Sequence, residues 1–293
     1  MSNTLAGINL AQIAQRSLDV LVAQLPALSA FATDFSDEVA VEGSSVTTRV
    51  ATQPTVGSLS TGYAANAQGA TTTAKTITLG DVTGLVLGFT DSEWSKSSIN
   101  LYDIFIRPGV NAVANDMIDD ALALLTAANF SQSATIAAAA MNHGKVVDLA
   151  KELTEANVPK MDRFLGLAPG HYAALAKDVK DTYAVGTSNV IQLNQLPPIA
   201  GMSVFEYTDI PDNSENLVGW AGGKQGILIA ARQPAIPQGF TGEIETAVDP
   251  ESGFALQLRK WYSADDGKYY LSMGAMWGVA VGVPGNIVRI VSA

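Results

Sequence analysis

Cysteine is absent from the chain. That excludes disulfide staples, thiolate metal sites and cysteine nucleophiles, and makes the chain indifferent to redox compartment. Stability must come from burial or assembly. Charge is scarce as well: 15% of residues are charged, against about 25% in an average chain. Much of the surface is therefore Thr, Ser, Asn, Gln, Ala and Gly, which fits either an uncharged β-rich surface or one covered by other subunits. Base is the scarcer sign, with 17 Lys and Arg against 28 Asp and Glu and a net charge of -11. Nucleic-acid binding by counterion release needs clustered Lys and Arg, and none occurs, so a sequence-specific nucleic-acid partner is not expected. No window of 18 uncharged apolar residues exists, and the opening MSNTLAGINLAQIAQRSLDVL lacks a basic stretch followed by an unbroken apolar run. Neither a membrane span nor a secretory signal is expected, and the implied setting is cytoplasmic synthesis without membrane insertion.

What is present is a 293-residue chain that is 47% hydrophobic, enough for one large core or two modest ones. Its most regular stretch is LYDIFIRPGVNAVANDMIDDALALLTAA, from Leu101 to Ala128. Counted at 100° per residue, Val110, Val113, Ala114, Met117, Ile118, Ala121, Leu124, Leu125 and Ala128 share an arc of roughly 140°. Asn111, Asn115, Asp116, Asp119 and Asp120 lie outside it. This predicts an amphipathic helix from Gly109 to Ala128, about 30 Å long, with Pro108 in its first turn or at a kink after the apolar Leu101–Ile106 turn. We treat it as a spine.

The rest of the chain alternates in period. Asn9 to Gln24 reads as a second amphipathic helix, with Leu10, Ile13, Ala14, Leu18, Leu21 and Val22 at helical spacing and Pro26 after it. From Val39 the period is two, giving a strand around Val46–Ala51 whose partner is Ala74–Leu79. Between them lies PTVGSLSTGYAANAQGATTT, about twenty small and polar residues, a length that is functional or disordered when it occurs in a compact domain. A hairpin with such a tip has little core of its own, so something must lie under it. Gly144–Ala156 and Pro169–Val179 read as short helices joined by Pro159–Gly166, with Asp181–Asn194 an exposed loop. Met202–Tyr207 reads as a strand, and Gly222–Arg232 as a helix burying Ile227, Leu228 and Ala231. The end is β: a strand from Phe254 to Trp261, the turn SADDG, a long strand Lys268–Val283, the turn Pro284-Gly285-Asn286, and a last strand Ile287–Val291. The fold class is α+β.

No catalytic pattern emerges. Gly219–Lys224, GWAGGK, is one residue short of a phosphate loop and is followed by Gln225 instead of a hydroxyl. Asp116, Asp119 and Asp120 are helically spaced carboxylates without the Glu-x-x-His of a two-metal bundle, and fit a solvated or interface-facing surface better. His143 and His171, the only histidines, have no ligand at metal spacing. A G-x-S-x-G elbow is absent. Asp249–Gly253 and Asp265-Asp266-Gly267 fail the calcium-loop pattern and read as turns. Neither an enzyme, a cofactor nor a metal is expected.

Amphipathic arm, strand-loop-strand, spine helix, compact α+β section and returning β end occur in the order seen in tailed-bacteriophage major capsid proteins of the Hong Kong 97 fold. LAQIAQRSLDVLVAQLPAL followed by DFSDEVAVEGSSVTTRVAT resembles the opening of such coat proteins. GGKQGILIAARQP, then LRKWYSADDGKYYLSMGAMWGVAVGVPGNIVRI, resembles their carboxyl half. The resemblance implies a Hong Kong 97-type capsid fold in four parts: an N-terminal arm (1–36), an extended β-hairpin loop (37–89), a spine-helix peripheral domain (90–141 and 239–281) and an α+β axial domain (142–238 and 282–293). It implies a coat protein that self-assembles as hexamers and pentamers into the icosahedral shell of a virion, with a separate scaffolding protein, a portal and a decoration protein as candidate partners. Residues expected at subunit interfaces are Leu10, Ile13 and Leu21 on the arm, Arg49, Tyr63 and Lys75 on the hairpin, and Asp116 and Asp119 on the spine. The alternatives are a phage-tail or cell-surface adhesin-like structural protein, which should lack the spine, and then an enzyme of unrecognised class.

Overall fold

A computed structural model describes residues 26–39, 45–51, 72–96, 101–182, 196–248 and 255–292. The expected arm helix with Leu10, Ile13 and Leu21, the hairpin tip with Tyr63, most of the 181–194 loop and the 249–253 turn lie outside the described residues.

A 3₁₀ turn, Pro26–Ala30, leads into β1 (Ala32–Val39), then β2 (Ser45–Ala51), β3 (Thr72–Thr78) and β4 (Val82–Thr90). Two helices follow, α1 (Asp91–Lys96) and α2 (Leu101–Ala123), then β5 (Ser133–Thr135), α3 (His143–Glu155), β6 (Arg163–Leu167) and α4 (Pro169–Thr182). The remainder is β7 (Met202–Glu206), β8 (Leu217–Gly223), β9 (Ile227–Gln233), β10 (Glu243–Val248), β11 (Ala255–Ser263), β12 (Lys268–Val281) and β13 (Ile287–Val291). They form a six-stranded sheet ordered β1-β9-β12-β11-β10 with β4 also on β12, a five-stranded sheet β5-β13-β8-β6-β7, and the hairpin β2-β3.

The spine is α2, and its bounds differ from the predicted 109–128. It starts at Leu101 and carries Pro108 inside it. It stops at Ala123 because the last turn tightens: the amides of Leu124 and Leu125 bond to the carbonyls of Ala121 and Leu122 instead of four residues back. Side-chain amides add to the carbonyls of this turn, Asn129 donating to Leu124 O (2.8 Å) and Asn213 to Leu122 O and Leu125 O (both 3.0 Å). The apolar arc holds for Val110, Val113, Ala114, Met117, Ile118, Ala121 and Leu125, all buried. The tightened turn rotates the end of the arc, so Leu122 is fully buried while Leu124 is half-buried and Ala128 exposed.

The spine packs on one face of the six-stranded sheet, against Leu271, Met273, Ala275 and Trp277 of β12 and Leu256 and Leu258 of β11. Leu85, Leu87 and Phe89 of β4 join that core, whereas Val82 and Val86 of the same strand are 55% and 58% exposed, as a period of two requires. On the opposite face the base of the hairpin lies down: Ile77, Leu79 and Val46 pack on Leu228 and Ala230 of β9 and Met276 and Ala280 of β12. The hairpin itself pairs as the sequence predicts, Val46 opposite Ile77 and Ala51 opposite Thr72.

The five-stranded sheet carries α3 and α4 on one face, where Val146, Leu149, Leu153, Leu175 and Val179 meet Leu165, Leu167, Val288 and Ile290. Two expectations fail here. The predicted helix Gly222–Arg232 is the end of β8, a 3₁₀ turn at Lys224–Gly226, and β9. The predicted connector Pro159–Gly166 runs into β6 (Arg163–Leu167), whose five residues are all buried. Strands covered on both faces show continuous apolar runs with no alternation, and a short run of that kind cannot be told from a buried helix by period. No helix among the described residues is long and apolar enough to cross a membrane.

Candidate assembly surface

Three features on the described surface bear on assembly: the hairpin, the polar side of the spine, and the segment that straps it. Beyond its base, the hairpin shows Thr47, Arg49, Thr72, Thr73, Ala74 and Thr76 exposed and Thr48 and Lys75 half-buried. Arg49 stands opposite Ala74, and Lys75 opposite Thr48. Positions 49 and 48 point to opposite faces, so the two cations expected at an interface face opposite ways, with Lys75 on the Val46–Ile77 face.

On the spine, Asp116 is exposed and Asp119 half-exposed. The Tyr207 hydroxyl donates to Asp119 Oδ1 (3.1 Å), and Trp277 Nε1–H donates to Asp120 Oδ2 (2.8 Å). Burial raises the Asp119 carboxyl above the usual range, the Tyr207 bond opposes this, and Asp209, Asp116 and Asp120 add repulsion. Asp116 is raised by burial and then by Asp120. Tyr207 is held well above the ordinary tyrosine range by burial and then by the Asp119 charge. The spine and the hairpin base occupy opposite faces of one sheet. A single copy therefore does not bring Arg49 or Lys75 to Asp116 or Asp119.

The raised Asp119 carboxyl gives a pH prediction. The folded state binds that proton more tightly than the unfolded chain, so its contribution destabilises the fold as pH rises from the unfolded value, about 3.9, through the raised folded value. Asp119→Asn keeps an acceptor for Tyr207 and removes the penalty. Its melting temperature should exceed the parent's at pH 7 and match it at pH 3.5 in thermal circular dichroism; the reverse order would show that the charge is stabilising.

Residues Tyr207 to Asn216 form a strap along the last turns of the spine. Besides the bonds from Tyr207 and Asn213, Glu215 Oε1 accepts from the Ala127 amide (2.7 Å), and Glu215 Oε2 pairs with Arg289 of β13. Arg289 Nε also donates to Phe130 O (2.8 Å). None of these partners was visible in the sequence, although an arginine inside the apolar strand IVRIV is the kind of residue that must be paired when buried. Arg163, the other buried guanidinium among the described residues, donates to the carbonyls of Ala150, Val158 and Pro159, closing the C-terminal end of α3 with a cation as the helix dipole favours. His171 reaches Ile136 O (3.0 Å), a structural contact. Gly219–Lys224 is extended strand and turn, and no group of three or more metal-ligating side chains occurs among the described residues.

No protein-family model and no curated protein matches the chain. Solved structures do. The capsid of cyanophage P-SCSP1u superposes with a TM-score of 0.61 at 12% identity, covering 90% of this chain and 86% of that one. The mature capsid of bacteriophage PhiM1 gives 0.59 at 10% identity, covering 89% and 85%. A virus-like particle from Pyrococcus furiosus gives 0.55 at 11% identity, covering 95% and 97%. The likeness is one of fold over nearly the whole chain, and the fold is the Hong Kong 97 type that the sequence resembles.

Proposed function

We propose that the chain is a major capsid protein that self-assembles into the icosahedral shell enclosing a phage genome, with a structural and not an enzymatic role. The observation that carries this reading is the near-complete coverage of capsid subunits by the fold. The hairpin supports it, since the described positions beyond its base, Thr47, Arg49, Thr72, Thr73, Ala74 and Thr76, are exposed, and a two-stranded pair with little core of its own gains from a neighbour's cover. The spine argues against the tail or adhesin alternative, which should lack it. On this reading residues 1–36 are the arm, 37–89 the extended loop, 90–141 and 239–281 the peripheral domain, and 142–238 and 282–293 the axial domain. The subunit forms hexamers and pentamers after synthesis in the host cytoplasm, and a scaffolding protein, a portal and a decoration protein are its candidate partners. A second reading, a shell that holds something other than a phage genome, is favoured by the likeness to the virus-like particle.

Replacing residues 52–71 with an Asn-Gly turn should leave the β2–β3 pairing and subunit fold intact and abolish or strongly reduce shells. Circular dichroism and electron microscopy of the purified protein read the two effects. Parent protein that forms no closed particles would end the shell reading, and shells unaffected by the replacement would end the role given to the hairpin. Nucleic acid extracted from native particles separates the two readings.

A further inference from the structure

The face of the six-stranded sheet opposite the spine is only partly covered by the described residues. The base of the hairpin reaches along it as far as Met276 of β12. Met276 stands opposite Val82, where β4 begins. Beyond that point three rows of residues cross β11, β12 and β4 on this face: Gln257–Gly274–Gly84, Arg259–Ser272–Val86 and Trp261–Tyr270–Gly88. They alternate with Leu258, Leu271, Met273, Leu85 and Leu87, which point into the spine core.

The first row is hollow. A Cβ on Gly84 would lie 2.1 Å from Met273 O, so that position stays bare, whereas one on Gly274 would meet only Thr83 O at 3.4 Å and the Val82 side chain at 3.5 Å. These are ordinary contacts, so at Gly274 the missing side chain is what keeps the space open. The result is a trough of about 340 Å³, within the range of ligand pockets. Val82 and Val86 wall one side, 55% and 58% exposed. Trp261 walls the other, with Phe240 edge-on to it at 6.0 Å and Tyr270 stacked on it at 5.2 Å.

Polar groups converge at the second row. Gln257 is buried and acts as an orienting group: its Nε2 donates to Pro234 O (3.0 Å) and its Oε1 accepts from Arg259 Nε (2.7 Å). Arg259 Nη2 donates to Ala235 O (3.1 Å). Both acceptors are neutral, and no carboxylate pairs with this half-buried guanidinium among the described residues. Ser272 lies directly opposite Arg259 on the neighbouring strand. A guanidinium fixed by neutral acceptors beside an apolar trough has its geometry set for a carboxylate and lacks only the carboxylate.

We infer that this trough docks an extended segment of a different protein, one that carries a large apolar side chain and, two residues along, an aspartate or glutamate. The spacing follows from the register. Side chains on one face of an extended chain recur every two residues, about 6.7 Å apart, which is also the step from the glycine row to the Arg259 row. The apolar group then lies over Gly274 between the valines and Trp261, and the acid meets Arg259. The hairpin tip of a second copy does not match, because residues 52–71 contain no Asp or Glu. The site is built within one subunit and does not depend on the capsid reading.

Fluorescein-labelled peptides with phenylalanine and, two positions on, glutamate provide the probe, and the matched control carries glutamine instead. Anisotropy titrations on the full-length protein should show the glutamate peptide binding about tenfold tighter or more, as a charge-assisted bond supplies. Arg259→Gln should remove that difference, and Gly274→Val, which fills the hollow, should weaken both peptides. Val86→Ser changes an exposed wall residue, so it should weaken both peptides without moving the melting temperature, and it carries the test if either other variant does not fold. No binding by the parent, equal binding of the two peptides, or undiminished binding by Val86→Ser would overturn the inference. So would phenylpropionate competing as well as the peptide, which would mark a site for small acids, or loss of the protein's own assembly in Arg259→Gln by sedimentation, which would assign the trough to a second copy.

Discussion

Leu125→Asp is expected to leave the subunit unfolded. Leu125 is fully buried where the tightened last turn of the spine enters the main core, in the cluster that also holds Leu122, Phe130 and Trp220. A carboxylate placed there has no cation within the cluster, and burying an unpaired charge costs several kcal/mol, a large part of the roughly 5 to 15 kcal/mol that holds a domain together. Raising its own pKa to become neutral would lessen the cost without removing it, because the lost leucine volume is still unfilled. Leu125→Met is the control: it keeps volume and polarity and should cost less than about 1.5 kcal/mol. The same change at Leu124, which the helical arc also places inside, should be much milder, since that side chain is half-buried. Soluble, cooperatively melting Leu125→Asp protein would show that the spine is not seated through this face.

That contrast marks how far the sequence could be read. The spine was legible because a period of 3.6 persists from Val110 to Ala121, and its error lay at the ends, where Asn213 and Asn129 cap carbonyls from outside the helix. The hairpin and β12 were legible because burial alternates along their strands, and β11 because its residue types alternate even though Ala255–Leu258 are all buried. β6, β8 and β9 were not, because both their faces are dry and only length and glycine spacing separate strand from helix there. For the candidate surface, the exposure of Asp116 and partial exposure of Asp119 followed from the helical arc. Their surroundings did not: Tyr207 is 88 residues from Asp119, and Trp277 is 157 from Asp120. Arg49 and Lys75 share a hairpin, yet their register turns them to opposite faces.

The second large effect belongs to the pair Arg289 and Glu215. The Arg289 side chain is 5% exposed and that of Glu215 24%. Burial lowers the Arg289 pKa, yet the group stays charged at neutral pH because an arginine starts so high. Arg289→Met removes the cation and leaves a largely buried carboxylate whose one remaining donor is the Ala127 amide. Glu215→Gln leaves the cation without a counter-charge, facing only neutral acceptors, the glutamine oxygen and the Phe130 carbonyl. Breaking a buried pair from either side costs about 3 to 5 kcal/mol, while removing both charges often costs far less. The double variant should therefore be more stable than the sum of the two single losses predicts, read from urea midpoints at constant m-value. The losses should also be nearly the same at 0.1 M and 1 M salt, since screening acts on exposed charges such as the Lys151–Glu155 pair and hardly on buried ones. Additive single losses, or losses that vanish in salt, would show a solvated pair of little worth. If the coupling is as expected, the last strand, the turn after the spine and the strap are held as one unit, and hydrogen exchange should rise in all three together in either single variant.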